Sequence, residues 1–497
     1  ITCSLSTIKL GIFLCYKNVF INMISWNQLQ YLKSEKIKEF QNKLLRKFVR
    51  EQIPYHPFYS NHFKKNKISF SDIKTTDDLR KLPFTTKEEM APTSKEPKKF
   101  LDFVLQPNEK LIKQYSTLNK KIKIILNKKH LYYEYKPVHI HFTTGRAANA
   151  TPVLYTAYDL QRLEESGKRM FQILNVSKDD VVVNAFPYAP HLAFWQTFYA
   201  MKGVSLLGLH TGGGKILGTE KIIKTVESMK ATCLVGMPGY LYHLIRTSKE
   251  QKSKFSNLRL VIFGGERVPI GLRDKIKQFL KSMGSKAPRV LSTYAFTEGK
   301  AAWVECKEES GYHLYPDFEF IEVVDKNGEI VNEGEKGEIV YTSLDWRGSV
   351  FLRYKTGDVT KGLYYEKCSC GRTLPRIDAA IERSSEYKEF RLTKVKGSFI
   401  NLNAFFPIMM SHKDIEEWQI EIKKKNNDPY EIDELIVYIA PKKKANFERL
   451  KSDLKTRITT ETEVTPEITK VDLKELVKRL GMETELKEKR IVDNRKK

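Results

Sequence analysis

Residues 231–265, with the sequence ATCLVGMPGYLYHLIRTSKEQKSKFSNLRLVIFGG, decide the fold. Two short apolar runs, 231–236 and 258–263, predict buried β-strands. Between them, 239–249 has the apolar spacing of an α-helix about three turns long. A strand, a helix and a second strand in this order predict a βαβ unit with parallel strands.

The same alternation continues on both sides of this unit. The other predicted strands are 181–183, 204–209 and 289–292, and the other predicted helices are 194–201, 219–230 and 270–282. We therefore predict an α/β protein whose large N-terminal domain holds mostly parallel sheets sandwiched by helices. Such sheets bind ligands at the carboxyl ends of their strands.

Different patterns flank this region. Residues 25–50 have apolar side chains at helical spacing and predict one long amphipathic helix. Between 317 and 360, Asp325-Lys326-Asn327-Gly328 predicts a hairpin turn and residues 334–337 a second one, so we expect a small β-subdomain. The charged segment after 386 predicts a smaller, mobile α+β domain at the C-terminus.

These patterns predict a large N-terminal domain at 23–385 and a smaller C-terminal domain at 386–497. We interpret residues 1–22 as a non-native or disordered leader, with Met23 as the natural start. The apolar run at 10–14 is too short to span a bilayer, and a membrane-surface segment is the alternative.

The net charge of +26 raises nucleic-acid binding as an alternative function. The lysines are spread along the chain, without a long basic stripe interleaved with aromatic residues, and this favours a solvated surface. We therefore expect neither a nucleic-acid partner nor a membrane partner. Six cysteines in 497 residues do not form a disulfide framework and suit a reducing, cytoplasmic setting.

Five short stretches carry residue types suited to nucleotide chemistry. They are 141–146 (HFTTGR), 263–266 (FGGE), 294–298 (YAFTE), 353–358 (RYKTGD) and 487–490 (KEKR). Hydroxyl groups, a glycine and a cation in one loop cradle phosphates. Glycines at a strand end let a flat ring approach the backbone, and a carboxylate holds Mg²⁺ or a ribose diol. Each stretch alone is equally well an ordinary loop or turn.

Together and in this order, the stretches resemble the acyl-adenylate-forming (AMP-dependent synthetase/ligase) superfamily, and within it the phenylacetate–coenzyme A ligase branch. Residues 353–358 are similar to the branch's R-Y-[RK]-T-[GR]-D motif, and 294–298 to its Y-G-x-[ST]-E motif. The segments 56–60 and 82–87 and the ending 487–495 also look like this branch. The resemblance covers nearly the whole chain.

The resemblance implies activation of a small carboxylic acid by ATP to an acyl-adenylate, then thioester formation with coenzyme A and release of AMP and pyrophosphate. The residues that it implies for ATP binding are Thr143, Thr144, Gly145, Arg146, Gly264, Gly265, Glu266, Tyr294, Ala295, Thr297 and Asp358. The implied catalytic residues are Glu298 as the Mg²⁺ ligand, Arg383 beside the interdomain hinge, and Lys487, which would stabilise charge during adenylation.

The chain departs from the family pattern in the phosphate loop, where His141 and Phe142 replace a serine and a glycine. This departure leaves a weakened, adenylate-binding protein as one alternative function, and acyl transfer to a protein or carrier thiol is another. Tyr188, His191 and Tyr240 are candidates to line the acid pocket, and their character favours an aryl or apolar acid. A homodimer is left open.

Cys306, His313, Cys368 and Cys370 form a candidate zinc site. Three thiolates and one imidazole suit tetrahedral Zn²⁺, and Gly371 favours a tight turn after Cys370. Some members of the branch that the chain resembles carry a similar set, which supports structural zinc. The alternative is a set of free cysteines and an unrelated histidine.

Overall fold

The computed structural model describes residues 24–143, 151–265, 268, 270–383, 392–395, 398–401, 405–424, 433–462, 464–482 and 488–495. The predicted leader, the predicted domain boundary after 385, and the candidate residues Thr144, Gly145, Arg146, Glu266 and Lys487 lie outside this set.

The α-helices of the described residues are α1 (Trp26–Leu29), α2 (Ser34–Glu51), α3 (Pro57–Lys65), α4 (Lys87–Met90), α5 (Glu109–Tyr115), α6 (Leu118–Leu126), α7 (Lys129–Tyr135), α8 (Ala157–Leu174), α9 (Leu192–Val204), α10 (Gly214–Leu217), α11 (Thr219–Ser228), α12 (Pro238–Glu250), α13 (Ile270–Ser282), α14 (Phe405–Ser411), α15 (Phe447–Thr462) and α16 (Leu473–Leu480). Short 3₁₀ turns are found at Ile53–Tyr55, Phe70–Asp72, Thr76–Lys81, Lys99–Phe103 and Thr297–Gly299.

The β-strands of the described residues are β1 (Pro137–Phe142), β2 (Pro152–Thr156), β3 (Val181–Asn184), β4 (Leu207–His210), β5 (Cys233–Gly236), β6 (Leu260–Phe263), β7 (Arg289–Ala295), β8 (Ala302–Val304), β9 (Tyr312–His313), β10 (Glu319–Val324), β11 (Gly337–Ser343), β12 (Tyr354–Thr360), β13 (Leu363–Tyr364), β14 (Arg376–Ile377), β15 (Glu382–Arg383), β16 (Leu392–Val395), β17 (Ser398–Asn401), β18 (Ile415–Lys424), β19 (Asp433–Pro441), β20 (Glu467–Lys470) and β21 (Ile491–Asp493).

The main sheet confirms the α/β prediction. Within the described residues its strand order is β13-β14-β9-β8-β7-β6-β5-β3-β4. The strands β4, β3, β5, β6 and β7 are parallel, whereas β8, β9, β14 and β13 continue the sheet in antiparallel pairing. The sequence did not predict the antiparallel extension, because strands of two or three residues are too short to show a periodic pattern.

Helices cover both faces of the parallel part. Val182 and Ile262 point into a core with residues of α8 and α9, whereas Val183 and Val261 point into a second core with residues of α11, α12 and α13. Neighbouring residues of one strand therefore lie in opposite cores, as the period of two in a β-strand requires.

The predicted helix at 25–50 is wrong in one respect, because it breaks into α1 and α2. Between them, the side chain of Gln30 accepts a hydrogen bond from Arg372 Nε at 2.8 Å, and its backbone carbonyl accepts one from Thr373 N at 3.0 Å. These contacts come from a segment more than 300 residues away, so the apolar spacing of the sequence did not reveal the break.

Two further sheets flank the main one. The strands β10, β11, β12 and β15 form an antiparallel sheet, which confirms the predicted β-subdomain, and Gly328 turns the chain with φ 87°. Towards the C-terminus, β20, β19, β18 and β21 form a separate sheet whose core includes Trp418, Leu435 and Leu454. In the described part of the chain, no helix is both long enough and apolar enough to cross a membrane.

Candidate active site

The carboxyl ends of the parallel strands bring distant loops together. Phe186 follows β3, Gly212 to Gly214 follow β4, Met237 follows β5 and Gly264 follows β6. Gly212 and Gly213 have φ of 69° and 76°, which a residue with a Cβ seldom adopts. The glycine-rich segment is thus a turn after a strand, and it lies at the edge where an open α/β sheet binds ligands.

Tyr294 and Asp358 meet at this edge. Tyr294 belongs to β7, which runs three residues further than predicted, and Asp358 belongs to β12. The Tyr294 hydroxyl donates a hydrogen bond to Asp358 Oδ2 at 2.7 Å. Arg383 is the backbone partner of Asp358 in the pairing of β12 with β15. The structure therefore brings together three of the candidate residues from separate parts of the sequence.

Glu298 lies in the 3₁₀ turn after β7 and is buried. Its Oε1 accepts a hydrogen bond from the Tyr354 hydroxyl at 2.7 Å. Burial, and then the nearby Glu298 charge, raise the pKa of Tyr354, so this hydroxyl keeps its proton and remains a donor. The neighbouring Ala295 is exposed and Thr297 is half-buried.

The motif that contains Asp358 is fastened to an early segment of the chain. The backbone of Thr85 pairs with that of Arg353 and Lys355 at 2.9 Å in each case. Arg353 has φ 46°, forms an ion pair with Glu322 at 3.2 Å and lies over the Phe84 ring at 4.1 Å. The segments 82–87 and 353–358, which are far apart in sequence, therefore form one packed unit.

Close packing explains the paired glycines after β6. A Cβ on Gly264 would lie 2.7 Å from Thr293 Oγ1 and 3.0 Å from the Phe186 ring. Gly265 has φ 86°, and a Cβ there would lie 2.8 Å from Met237 Sδ. Any larger residue would displace these side chains.

Thr143 closes the base of the predicted phosphate loop. Its backbone N donates to Thr151 O at 3.0 Å, and its Oγ1 accepts from Thr151 N at 3.2 Å. Phe142 ends β1, with its backbone N donating to Pro190 O at 2.8 Å and its carbonyl 2.9 Å from His191 Nδ1. Phe142 and His191 thus join the phosphate loop to the segment after β3.

His141 is buried, and its Nε2 lies 2.9 Å from His139 Nε2. Burial lowers the pKa of His141 to about 2. The ring is therefore neutral at physiological pH and brings no positive charge to the base of the loop.

The candidates for the acid pocket lie at different depths. Tyr240 is buried, and its ring packs against Gly214, where a Cβ would lie 2.7 Å from Tyr240 Cε2. Tyr188 exposes 65% of its surface, with its ring 5.2 Å from that of Phe194. Phe186 and Met237 lie nearer to the paired glycines than Tyr188 does, and sequence reasoning did not single them out.

Sequence reasoning also missed the buried ion pair of Lys300 and Asp159, which are both 0% exposed. Lys300 Nζ donates to Asp159 Oδ2 at 2.9 Å and lies 4.8 Å from the centre of the Tyr155 ring. Asp159 also accepts from the backbone N of Arg347 at 2.8 Å and of Gly348 at 2.7 Å. The pair ties the turn that carries Glu298 to the start of α8. The only local signal was the helix-capping pattern from Thr156 to Asp159.

The C-terminal sheet approaches the same edge. Glu488, next to the undescribed Lys487, packs so closely on Gly239 near the start of α12 that a Cβ there would overlap its carboxylate. Arg246 of α12 lies 3.8 Å from Glu416 of β18, and the Tyr242 hydroxyl lies 3.5 Å from the same carboxylate.

The four predicted zinc ligands converge. The candidate ligand atoms of Cys306, His313, Cys368 and Cys370 all lie within 4.8 Å of one another. Cys306 Sγ is 3.5 Å from Cys368 Sγ, and Cys370 Sγ is 3.6 Å from His313 Nε2. Tetrahedral zinc with Zn–S bonds of about 2.3 Å separates its sulfur ligands by about 3.8 Å, so the set fits this metal.

The chain matches known proteins in the region that this site occupies. Residues 134–352 match the family model of AMP-binding enzymes. The chain is 25% identical to phenylacetate–coenzyme A ligase of Thermus thermophilus over 375 residues, which cover 72% of this chain and 73% of the relative. It is 23% identical to phenylacetate–coenzyme A ligase of Escherichia coli over 373 residues, which cover 74% of each chain.

Solved structures show the same fold. A 2-hydroxyisobutyryl-CoA ligase in its postadenylation state, in complex with 2-HIB-AMP, has a TM-score of 0.74 at 19% identity and covers 95% of this chain and 94% of its own. The same enzyme in its thioesterification state has a TM-score of 0.61 over the same shares. Residues 134–352 thus match an AMP-binding enzyme domain, and the chain is similar to phenylacetate–coenzyme A ligases over about three quarters of its length.

Proposed function

We propose that the protein is an AMP-forming acid–coenzyme A ligase. It activates a small carboxylic acid with ATP to an acyl-adenylate and then passes the acyl group to the thiol of coenzyme A. The observation that carries this proposal is the meeting of Tyr294, Asp358 and the Gly264–Gly265 turn at one edge of the parallel sheet. An aromatic ring, a carboxylate and an open backbone at one place suit an adenosine.

The residues of this edge take different parts in nucleotide binding. The flat base stacks on Tyr294, next to the backbone of the Gly264–Gly265 turn. Asp358, which accepts from Tyr294 in the free protein, accepts from the ribose hydroxyls when the nucleotide is bound. The loop based on Thr143 and Thr151 receives the β- and γ-phosphates, with Thr144 and Arg146 as donors.

Glu298 suits a magnesium ion. Its carboxylate is buried and accepts a hydrogen bond from the neutral Tyr354 hydroxyl. A buried carboxylate is costly without a positive partner, and Mg²⁺ prefers oxygen ligands. Bound there, Mg²⁺ would offset the negative charge of the phosphates.

The two half-reactions follow from this arrangement. The acid carboxylate attacks the α-phosphorus, the bond to the β-phosphate oxygen breaks, and pyrophosphate leaves. Lys487 stabilises the charge that builds on the phosphate in this step. The coenzyme A thiolate then attacks the acyl carbon, and AMP leaves with the electron pair of the acyl–oxygen bond. Rotation of the C-terminal domain (386–497), with Arg383 at the hinge, converts the active site from the adenylation arrangement to the thioester-forming arrangement.

The acid is small and aryl or apolar. Phe186, Met237 and Tyr240 lie beside the glycines of the ligand edge, and apolar walls accept an apolar chain or ring. The Cys/His cluster holds a structural zinc ion that joins β8 and β9 to the turn at Cys368–Cys370, away from the reacting atoms.

Acid-dependent exchange between ATP and labelled pyrophosphate tests the proposal. A panel of aryl, short-chain and long-chain acids is assayed with Mg²⁺, and active acids are repeated with coenzyme A while AMP and acyl-CoA are measured. We expect exchange with one acid class and acyl-CoA formation. Glu298→Gln should abolish exchange, and the exposed Glu329→Gln is the matched control.

The outcomes separate the alternatives. Exchange without acyl-CoA formation would indicate a protein or carrier thiol as the acceptor. Retained ATP binding with no exchange across the panel would refute the enzyme proposal and favour an adenylate-binding protein.

A further inference from the structure

The apolar face of helix α6 is exposed to solvent. Its sequence is LNKKIKIIL, and Leu118, Ile122, Ile125 and Leu126 fall on one face at helical spacing. In a helix packed on a core this face is buried. Here Leu118 is 72% exposed, and Ile125 and Leu126 are each 79% exposed.

The inner face of α6 contains a lysine beside the half-buried Ile124. Lys120 forms an ion pair with Glu134 of α7 at 2.9 Å, and it lies 4.7 Å from the centre of the Tyr135 ring. The N-terminal region thus packs against Lys120 and Ile124 of this helix and leaves Leu118, Ile122, Ile125 and Leu126 outside. The stability of the domain does not explain the apolar face.

The exposed apolar surface is concentrated here. Seven of the fifteen large apolar side chains that are exposed in the described residues lie between Leu118 and Ile140. Besides the four on α6, they are Tyr132 on α7 and Val138 and Ile140 on β1. The four on α6 share one helix face, and an exposed apolar face of this kind marks an interaction site. We call the four side chains of α6 together with Tyr132 the α6 face.

The charge around the α6 face identifies its partner. Residues 110–133 contain seven lysines and no aspartate or glutamate. Lys123, Lys128 and Lys129 are exposed beside the apolar side chains. A second copy placed symmetrically on this face would bring lysines against lysines, which is repulsive. The partner is therefore anionic.

The composition favours a lipid surface over an acidic protein. The residues that dominate protein–protein contacts are tryptophan, tyrosine and arginine. The α6 face consists of leucine and isoleucine with one tyrosine, flanked by lysines, and this is the composition of helices that lie in the interface of anionic bilayers. Tyr132 supplies the amphipathic ring that favours the headgroup level.

We propose that the α6 face docks the protein on an anionic lipid bilayer, with Leu118, Ile122, Ile125 and Leu126 entering the headgroup boundary and the lysines contacting lipid phosphates and carboxylates. This proposal departs from the sequence-based expectation that the protein has no membrane partner, which was drawn from the overall distribution of charge. It is independent of the identity of the acid.

Sedimentation of the full chain with vesicles tests this proposal. Vesicles of phosphatidylcholine alone and of phosphatidylcholine with phosphatidylserine are compared at low and high salt. We expect binding to the phosphatidylserine vesicles, weakened by salt. The double variant Ile125→Gln/Leu126→Gln should reduce the partition coefficient at least about tenfold, because it removes most of the inserted apolar surface.

Matched variants distinguish binding through the α6 face from non-specific adsorption to vesicles. Leu207→Gln changes a side chain that is 60% exposed on the edge strand β4, and it should leave vesicle binding unchanged. Lys123→Glu/Lys128→Glu should weaken binding to phosphatidylserine vesicles only. Thermal melting and pyrophosphate exchange should be unchanged in all of these variants, because the substituted side chains are exposed and none belongs to the active-site motifs.

Three results would overturn the proposal. One is no binding to any vesicle, and another is vesicle binding that the double variant leaves intact. The third is a wild-type dimer in sedimentation velocity that Ile125→Gln/Leu126→Gln dissociates, which would assign the face to a second copy. Retention on immobilised polyglutamate without vesicle binding would assign it to an acidic protein.

Discussion

The ion pair between Lys300 and Asp159 offers the sharpest test of how the active-site turn is held. The perturbation is Lys300→Met, which removes the charge and keeps much of the side-chain length. Both groups are 0% exposed, so the change leaves the Asp159 carboxylate buried without its cation. Removing one partner of a buried pair costs about 3–5 kcal/mol.

The surroundings place the expected loss within this range. Asp159 keeps hydrogen bonds from the backbone N of Arg347 and Gly348, so Lys300→Met should lie near the lower end, at about 3 kcal/mol. In Asp159→Asn, the ammonium loses its counter-charge and lies against the faces of Tyr155 and Trp346 at 4.8 and 5.4 Å, so we expect a larger loss, near 5 kcal/mol at the top of the range of about 3–5 kcal/mol. The double variant buries no charge and should be more stable than the sum of the single losses predicts.

The assay is urea unfolding followed by tryptophan fluorescence, with the double-mutant cycle completed. Four of the five tryptophans, Trp26, Trp195, Trp303 and Trp346, precede residue 350, so this signal reports chiefly on the domain that contains the pair. Single losses below about 1 kcal/mol, or losses that add in the double variant, would refute the argument that the pair acts as one buried unit. Exposed Lys202→Met is the control, since its pair with Glu164 is at the surface.

Three further predictions concern catalysis, metal and pH. Lys487→Ala should strongly reduce pyrophosphate exchange at an unchanged melting temperature, whereas exposed Lys489→Ala should not; equal exchange in wild type and Lys487→Ala would contradict the assignment. Elemental analysis should find about one zinc per chain, and a chelator or Cys370→Ser should lower the melting temperature, with the chelator having no further effect on the variant. Burial lowers the pKa of His56 from 6.5 to about 3, so between these values the unfolded chain binds a proton that the folded chain does not. His56 should therefore contribute about 1.4 kcal/mol per pH unit to the fall in the free energy of unfolding on acidification below 6.5, in addition to the share of His141. His56→Phe should reduce the slope by this amount, and an unchanged slope would exclude a contribution from His56.

The sequence alone determined the elements whose patterns are long or repeated. The helix at 270–282 was predicted at both ends, and the strands of the parallel sheet were found to within a few residues. An amphipathic helix of this length, or a run of buried strand residues, shows its apolar spacing in the sequence itself, whatever the element later packs against. The motifs at 294–298 and 353–358 gave the resemblance to the superfamily, because the order of residue types along a chain can be compared without a structure.

Other features depend on contacts between distant segments, and only the tertiary structure decided them. The break between α1 and α2 depends on Arg372 and Thr373, and the fastening of Thr85 to Arg353 joins segments that are far apart in sequence. Cys306, His313, Cys368 and Cys370 were predicted as a set from their ligand types. Their spacing along the chain could not show that the ligand atoms lie within 4.8 Å of one another.

The buried pair Lys300–Asp159 and the exposed α6 face both show that residue type alone does not predict burial. A lysine is most often exposed and a leucine most often buried, and these preferences predict the reverse of what the fold contains at both places. Hydrophobic periodicity marks a helix face but not the direction in which it points. That direction is set when the helix packs, by which partner supplies the compensating charge: here Glu134 draws Lys120 inward and leaves Leu118, Ile125 and Leu126 at the surface.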